Sequence, residues 1–173
     1  LGANVCLAIR KESVLRGFDE DVRTHVHYEL KRKGVNVITM ANPTRIEEAG
    51  EKLKTHFSNG ETVTTDKVLF ATGREPNTGG AGIEKSGAKP NAKGAVEVDE
   101  YSRSSVPHIF AIGDVTDRMN LTPVAIREAQ AFAQTEFMNL PTAFDHANVP
   151  HAVFAQPPVG VVGLTEAEAR KTH

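Results

Sequence analysis

The chain has 173 residues, 39% hydrophobic and 24% charged, with 20 Lys and Arg against 22 Asp and Glu and a formal net charge of -2. That length suits one to two domains, and the near-neutral balance argues against nucleic acid or an anionic membrane as partner, since both call for a concentrated basic face. A single cysteine, Cys6, excludes an internal disulfide, and neither a membrane-length apolar span nor a signal peptide is visible.

Asn4 to Ile9 is an apolar run suited to a strand covered on both faces of a parallel sheet, ended by Arg10. Within it Cys6 reads as a small buried hydrophobe rather than a nucleophile. After a loop from Lys11 to Phe18, Asp19 is placed to cap a helix with an acidic first turn. Val22, Val26 and Leu30 recur there at helical spacing until Gly34 stops it. Val35 to Met40 forms the next strand. Strand, helix and strand within about thirty-five residues make a βαβ unit, hence a parallel pair with a right-handed crossover. Lys52 to Phe57 and Thr62 to Thr64 flank Asn59-Gly60, a hairpin dipeptide, and Lys67 to Ala71 returns to the parallel sheet.

Glu75 to Gly94 is rich in Gly, Pro, Asn and Lys and reads as a crossing between domains, with the boundary near Pro76. Ile109 to Ile112 reads as a buried strand. Gly113 turns the backbone so that Asp114 stands at the strand's carboxyl end, where ligands of open α/β sheets bind. Thr122 as N-cap and Pro123 at the first helical position open a helix whose leading N–H groups face an anion or the edge of a ring. Ala125, Ala129, Phe132, Ala133, Glu136 and Phe137 share its core-facing side, and Pro141 lies beyond its end. Val149 begins another strand region, and Thr165-Glu-Ala-Glu168 has the spacing of a capping box that starts a last helix.

Two groups of residues carry chemistry. The Asp114 carboxylate is placed to accept hydrogen bonds from sugar hydroxyls of a dinucleotide; the plainer reading is an Asp that caps its own turn, and the order of strand, turn, Thr-Pro and helix favours the former. Arg10 ends the apolar run from Asn4 to Ile9; at the end of the second strand of a dinucleotide fold an acid would bind a ribose 2′-OH, whereas an Arg accommodates a 2′-phosphate. Arg16 returns over the same ribose because the loop is short and Gly17 bends it, and two guanidiniums suit a dianionic phosphate. The bland alternative is a pair of solvated arginines beside Lys11. Arg74, after a glycine at a strand end, either touches phosphate or bridges domains. His25 and His27 sit on a charged helix, and His56, His108, His146, His151 and His173 show no ligand spacing with Cys or carboxylates, so no metal is assigned.

Ala71-Thr-Gly-Arg-Glu-Pro-Asn77, Ile109 to Ala125 and Phe154 to Ala169, in that order, resemble the FAD- and NADPH-dependent disulfide reductases, nearest to the glutathione-reducing branch. The resemblance covers nearly the whole chain. It implies an α/β fold made of part of a doubly wound, parallel-sheet nucleotide-binding domain with an antiparallel meander, then a flavin-domain portion and the start of an α+β interface domain. The domains fall at residues 1–76 for NADPH, 77–147 for FAD and 148–173 for dimerisation. It further implies Arg10 and Arg16 on the NADPH phosphate, Gly73 against the nucleotide, Asp114 and Thr122 on the flavin, and Asn120 and Val153 near the nicotinamide. Gln130 departs from the Arg that meets glutathione in some members.

By the same resemblance the chain is a fragment. It lacks G-x-G-x-x-G, the family's C-x4-C dithiol and the later catalytic His and Glu, so no catalytic residue is assigned and the piece alone is expected to be inactive. The implied enzyme is a cytoplasmic homodimer that reduces glutathione disulfide, binding neither nucleic acid nor membrane. Trypanothione, mercuric-ion or lipoamide relatives are the alternatives, as is a non-catalytic nucleotide-binding module.

Overall fold

The structure is a computed structural model that describes residues 2–172. It divides into two compact units, one running to Phe70 and resuming at Pro150, the other Ala71–Val149.

In the first unit, β1 (Cys6–Ala8) and β2 (Asn36–Ile38) pair in parallel, Cys6 opposite Asn36 and Ala8 opposite Ile38, across α1 (Glu20–Arg32). The ladder extends past these bounds: Asn36 N–H donates to the Val5 carbonyl at 3.0 Å, and Ile9 N–H to that of Ile38 at 2.9 Å. The whole run from Val5 to Ile9 is therefore tied down, and Val14, Val26, Ile38 and Ala41 close the small core.

The Asp19 carboxylate starts α1 by accepting from the Asp21 N–H at 3.1 Å. Its other oxygen accepts from the Glu166 N–H at 2.9 Å, at the first turn of α4 (Glu166–Thr172). There the capping box forms as the spacing predicts: Thr165 N–H and Oγ1 both donate to Glu168 Oε2, at 2.9 and 2.8 Å. One carboxylate thus satisfies one free N–H group in each of two helices. Replacing Asp19 by Ala is expected to cost about 1–2 kcal/mol, read as a lower midpoint in denaturant; an unchanged midpoint would show that neither cap contributes.

The meander consists of β3 (Pro43–Ala49), β4 (Lys52–Phe57) and β5 (Thr62–Thr65), antiparallel in that order. Asn59-Gly60 makes the β4–β5 turn, with Gly60 N–H on the Phe57 carbonyl at 3.0 Å. β3 is not apparent in the sequence because Thr44, Arg45 and Glu48 point to water and the strand lacks an apolar alternation; pairing with β4 makes it a strand. Conversely, Lys67 to Ala71 joins no sheet among the described residues, and Leu69 is 88% and Phe70 59% exposed. A segment becomes a strand only where a neighbour takes its N–H and C=O groups, and among the described residues the parallel sheet holds β1 and β2 alone. β6 (His151–Val153) and β7 (Val159–Val161) form a hairpin whose loop contains a cis Gln156–Pro157 bond.

The second unit contains the single turn α2 (Ile83–Ser86), a 3-10 turn at Gly113–Thr116 and α3 (Thr122–Phe137). Its loops are held by side chains: Thr78 Oγ1 donates to the Gly94 carbonyl at 2.7 Å, and Asp99 Oδ1 accepts from the Tyr101 and Arg103 N–H groups at 2.9 and 2.8 Å. Ile109 to Ile112 is not a regular strand, for its pairing is one isolated bridge between Phe110 and Arg103. The buried positions of α3 are Val124, Glu128 and Ala131, a stripe one residue earlier than the sequence pattern suggests. Phe132 packs against Phe110 with ring centroids 4.9 Å apart, while Phe137 stays 75% exposed. Leu121 rather than Thr122 is the N-cap; its carbonyl receives the Val124 and Ala125 N–H groups at 3.0 and 3.1 Å, and Thr122 is the first helical residue.

Candidate functional site

In the first unit Arg10 and Arg16 line one open groove with Ile9, Lys11, Val14 and Asn42. The loop between them is anchored rather than loose. Val14 is buried, its carbonyl accepts from Arg23 Nε on α1 at 3.0 Å, and Phe18 N–H closes a turn onto the Leu15 carbonyl at 3.1 Å. Leu15 holds φ 53, a left-handed conformation that costs a branched residue about 1 kcal/mol or more and that these contacts impose. Both guanidiniums are exposed, and among the described residues neither has a carboxylate partner. Their donors are available to an anion. Val153 lies elsewhere in this unit, on β6 opposite Val159.

In the second unit the turn at Gly113 is tightly specified. Gly113 has φ 69, and a Cβ there would stand 3.0 Å from the Ala125 Cβ of α3. Its N–H donates to Glu128 Oε2 at 2.6 Å and its carbonyl accepts from Thr116 Oγ1 at 2.8 Å. Asp114 follows with a half-exposed carboxylate. Arg74 Nε approaches Asp114 Oδ2 to 3.7 Å, too far for a hydrogen bond, so the carboxylate is near a positive charge yet free to accept. Gly113→Ala would combine the left-handed φ with the contact to Ala125. We expect a loss of about 1–2 kcal/mol from the backbone alone, seen as a lowered thermal midpoint; a variant as stable as the parent would mean that the turn tolerates a side chain.

Gly73 takes φ 135 with open space where a Cβ would be, so its requirement is conformational. Asn120 donates its amide to Asp117 Oδ1 at 3.1 Å, and this bond, with Lys93 Nζ at 3.2 Å from the other oxygen, holds the Asp117 carboxyl below its usual range. Gln130 is exposed and accepts from Arg127 Nη1 at 3.3 Å. Two groupings thus emerge among the candidates, Arg10 with Arg16 and Asp114 with Arg74 beside the start of α3, while Val153 on β6 belongs to neither.

Two histidines meet carboxylates that linear spacing did not suggest. His56 Nε2 lies 2.8 Å from Glu47 Oε1 across the β3–β4 ladder, and this bond holds the Glu47 carboxyl below its usual range. His146 Nε2 lies 2.7 Å from Glu128 Oε1. Neither pair gathers a third ligand, and no group of three metal-ligating side chains occurs among the described residues, His173 being outside them. Burial, with the charge of Glu61 second, pushes the Cys6 thiol up, against a nucleophilic role.

Glu128 is the residue that sequence reasoning missed. At 2% exposed it is the most buried acid, and it collects the Gly113 N–H, His146 Nε2 and, at 2.8 Å but outside hydrogen-bond geometry, Arg118 Nη2. The signal was an acid four residues after Val124 on an otherwise apolar stripe.

The pattern of the family described as pyridine nucleotide-disulphide oxidoreductase matches residues 1–129. The chain belongs to that family. It is 45% identical over 173 residues to a glutathione reductase of Burkholderia cepacia, covering 100% of this chain and 38% of that protein. Against a trypanothione reductase of Trypanosoma congolense it is 44% identical over 174 residues, covering 99% and 35%. The solved Cu(II) complex of the HOCl-induced flavoprotein disulfide reductase RclA from Escherichia coli superposes with a TM-score of 0.93 at 28% identity, over 99% of this chain and 40% of that one. The fold is therefore that of a flavoprotein disulfide reductase, of which the chain spans about two-fifths of the relatives' length.

Proposed function

We propose that these residues belong to an NADPH-dependent flavoprotein reductase of glutathione disulfide and carry part of both nucleotide sites. The observation that carries the reading is the pair Arg10 and Arg16 on one groove at the carboxyl end of β1, neither with a carboxylate partner among the described residues. A phosphate on the adenosine ribose fits there better than a bare hydroxyl, which would leave two exposed cations without a counter-charge. The identity to glutathione reductase over the full chain supports the substrate. The same reading assigns residues 1–76 to the NADPH domain, 77–147 to the FAD domain and 148–173 to the start of a homodimer interface, with a cytoplasmic location. Among the described residues no helix is long and apolar enough to cross a membrane.

The net reaction is NADPH, a proton and glutathione disulfide going to NADP⁺ and two glutathione thiols; bound FAD supplies a carrier that accepts two electrons from NADPH and passes them to an enzyme disulfide. The residues here bind and orient. Arg10 and Arg16 grip the 2′-phosphate, Gly73 lets the backbone approach the nucleotide, and Asp114 accepts from a ribitol hydroxyl. Thr122 stands at the N-terminus of α3 beside the flavin, while Asn120 and Val153 lie near the nicotinamide. The dithiol comes from outside this sequence, whose one cysteine is not activated.

The test is the full-length protein assayed for bound flavin and for NADPH oxidation with glutathione disulfide, trypanothione disulfide and lipoamide in parallel. Flavin-loaded protein that prefers glutathione disulfide is the expected result. Preference for trypanothione disulfide would move the substrate to the relative that the Trypanosoma match favours, and flavin-free protein inert toward all three would leave a nucleotide-binding module.

A further inference from the structure

The functional reading leaves one buried titratable side chain without a role. Glu128 sits in the middle of α3, where neither helix propensity nor core packing asks for an acid, and the cost of burying it is offset only by specific partners. One backbone N–H, one histidine and one guanidinium meet it. Oε2 takes the Gly113 N–H at 2.6 Å, and Oε1 faces His146 Nε2 at 2.7 Å and Arg118 Nη2 at 2.8 Å. Arg118 is itself tied to the same turn, since its Nε donates to Thr116 Oγ1 at 3.3 Å, and Thr116 Oγ1 donates in turn to the Gly113 carbonyl. Both backbone groups of Gly113 are thereby fixed by one connected network. The residue immediately after Gly113 is Asp114, whose carboxylate is not itself held by any hydrogen bond among the described residues.

We propose that Glu128 is a positioning residue for the flavin: by clamping the Gly113 N–H it fixes the direction in which Asp114 presents its carboxylate to the ribitol hydroxyls. This rests on the functional reading above. The geometry explains why an acid, rather than an apolar residue, occupies the centre of the buried stripe. A hydrophobic side chain would pack there but would leave the Gly113 N–H without an acceptor, His146 without its partner and Arg118 without its counter-charge, and the turn would lose its fixed orientation. His146 and Arg118 act one step further out, holding the Glu128 carboxylate against the turn.

The test measures FAD dissociation constants for the full-length protein after flavin removal, in the wild type, Asp114→Ala, Glu128→Met, Glu128→Gln and each Glu128 change combined with Asp114→Ala. Glu128→Met fills the space and removes every acceptor, so FAD binding should weaken on the order of tenfold to a hundredfold. Glu128→Gln keeps one acceptor oxygen and should lose less. In the Asp114→Ala background both losses should shrink to about twofold or threefold, because Glu128 acts through Asp114; a role in stability alone would give the same loss in both backgrounds. Binding of 2′,5′-ADP, which reports on the Arg10 and Arg16 groove, should not change. If Glu128→Met fails to fold, Glu128→Gln and its double variant carry the comparison. Wild-type affinity in the variants, or equal losses with and without Asp114, would overturn the proposal while leaving the functional reading intact. A wild-type protein that binds no FAD would overturn both.

Discussion

The double variant Arg10→Leu, Arg16→Leu of the full-length enzyme should lose on the order of 10²-fold or more in kcat/KM for NADPH while its kcat/KM for NADH stays within about a factor of two. A hydrogen bond to a charged group contributes about 1.5–3 kcal/mol, and two such groups grip the same phosphate, so removing both takes away several kcal/mol from a ligand that has the phosphate and nothing from one that lacks it. The loop bearing them is held from behind by Arg23 and the buried Val14, neither of which the substitutions touch. The fold should therefore persist. Steady-state kinetics with both cofactors decide the matter: equal losses for NADPH and NADH would mean that the arginines support the domain rather than the phosphate.

Asp114→Ala should weaken FAD retention by about 1–3 kcal/mol, the cost of leaving buried ligand hydroxyls without an acceptor. It also removes the negative charge that Arg74 approaches at 3.7 Å, but that pair is exposed and contributes little. The loss should appear as reduced flavin absorbance per protein after dilution and dialysis, with little change in thermal stability of the apoprotein. Full occupancy in the dialysed variant, with parental activity, would remove Asp114 from the site.

Much of this was legible because local chemistry decided it. Asp19 and the Thr165 to Glu168 box announce helix starts through side chains that satisfy N–H groups nearby in the chain, and both form as the spacing says. Asn59-Gly60 likewise carries its own turn. What failed depended on distant partners. Lys67 to Ala71 and Ile109 to Ile112 have strand composition, yet a strand is a property of two segments, and neither finds a ladder here. β3 is the converse case, without an apolar alternation and made a strand by its pairing with β4. The helix after Asp114 forms where the Thr-Pro pair predicts, with its cap one residue earlier at Leu121, and its buried face lies one residue before the one the apolar pattern points to, since Glu128 turns inward to the Gly113 N–H. The site followed the same division. Arg10 and Asp114 could be named from the apolar runs they follow and Arg16 from the short loop after Arg10, whereas Glu128 emerges only when Gly113, Arg118 and His146 are seen to converge on it.

The central claim, that Arg10 and Arg16 read a ribose 2′-phosphate, is tested most directly by calorimetric titration of the full-length protein with 2′,5′-ADP and with 5′-AMP at one ionic strength. The wild type should bind 2′,5′-ADP on the order of 10²-fold more tightly, and the Arg10→Leu, Arg16→Leu variant should bind the two alike; equal affinity for both ligands in the wild type would contradict it.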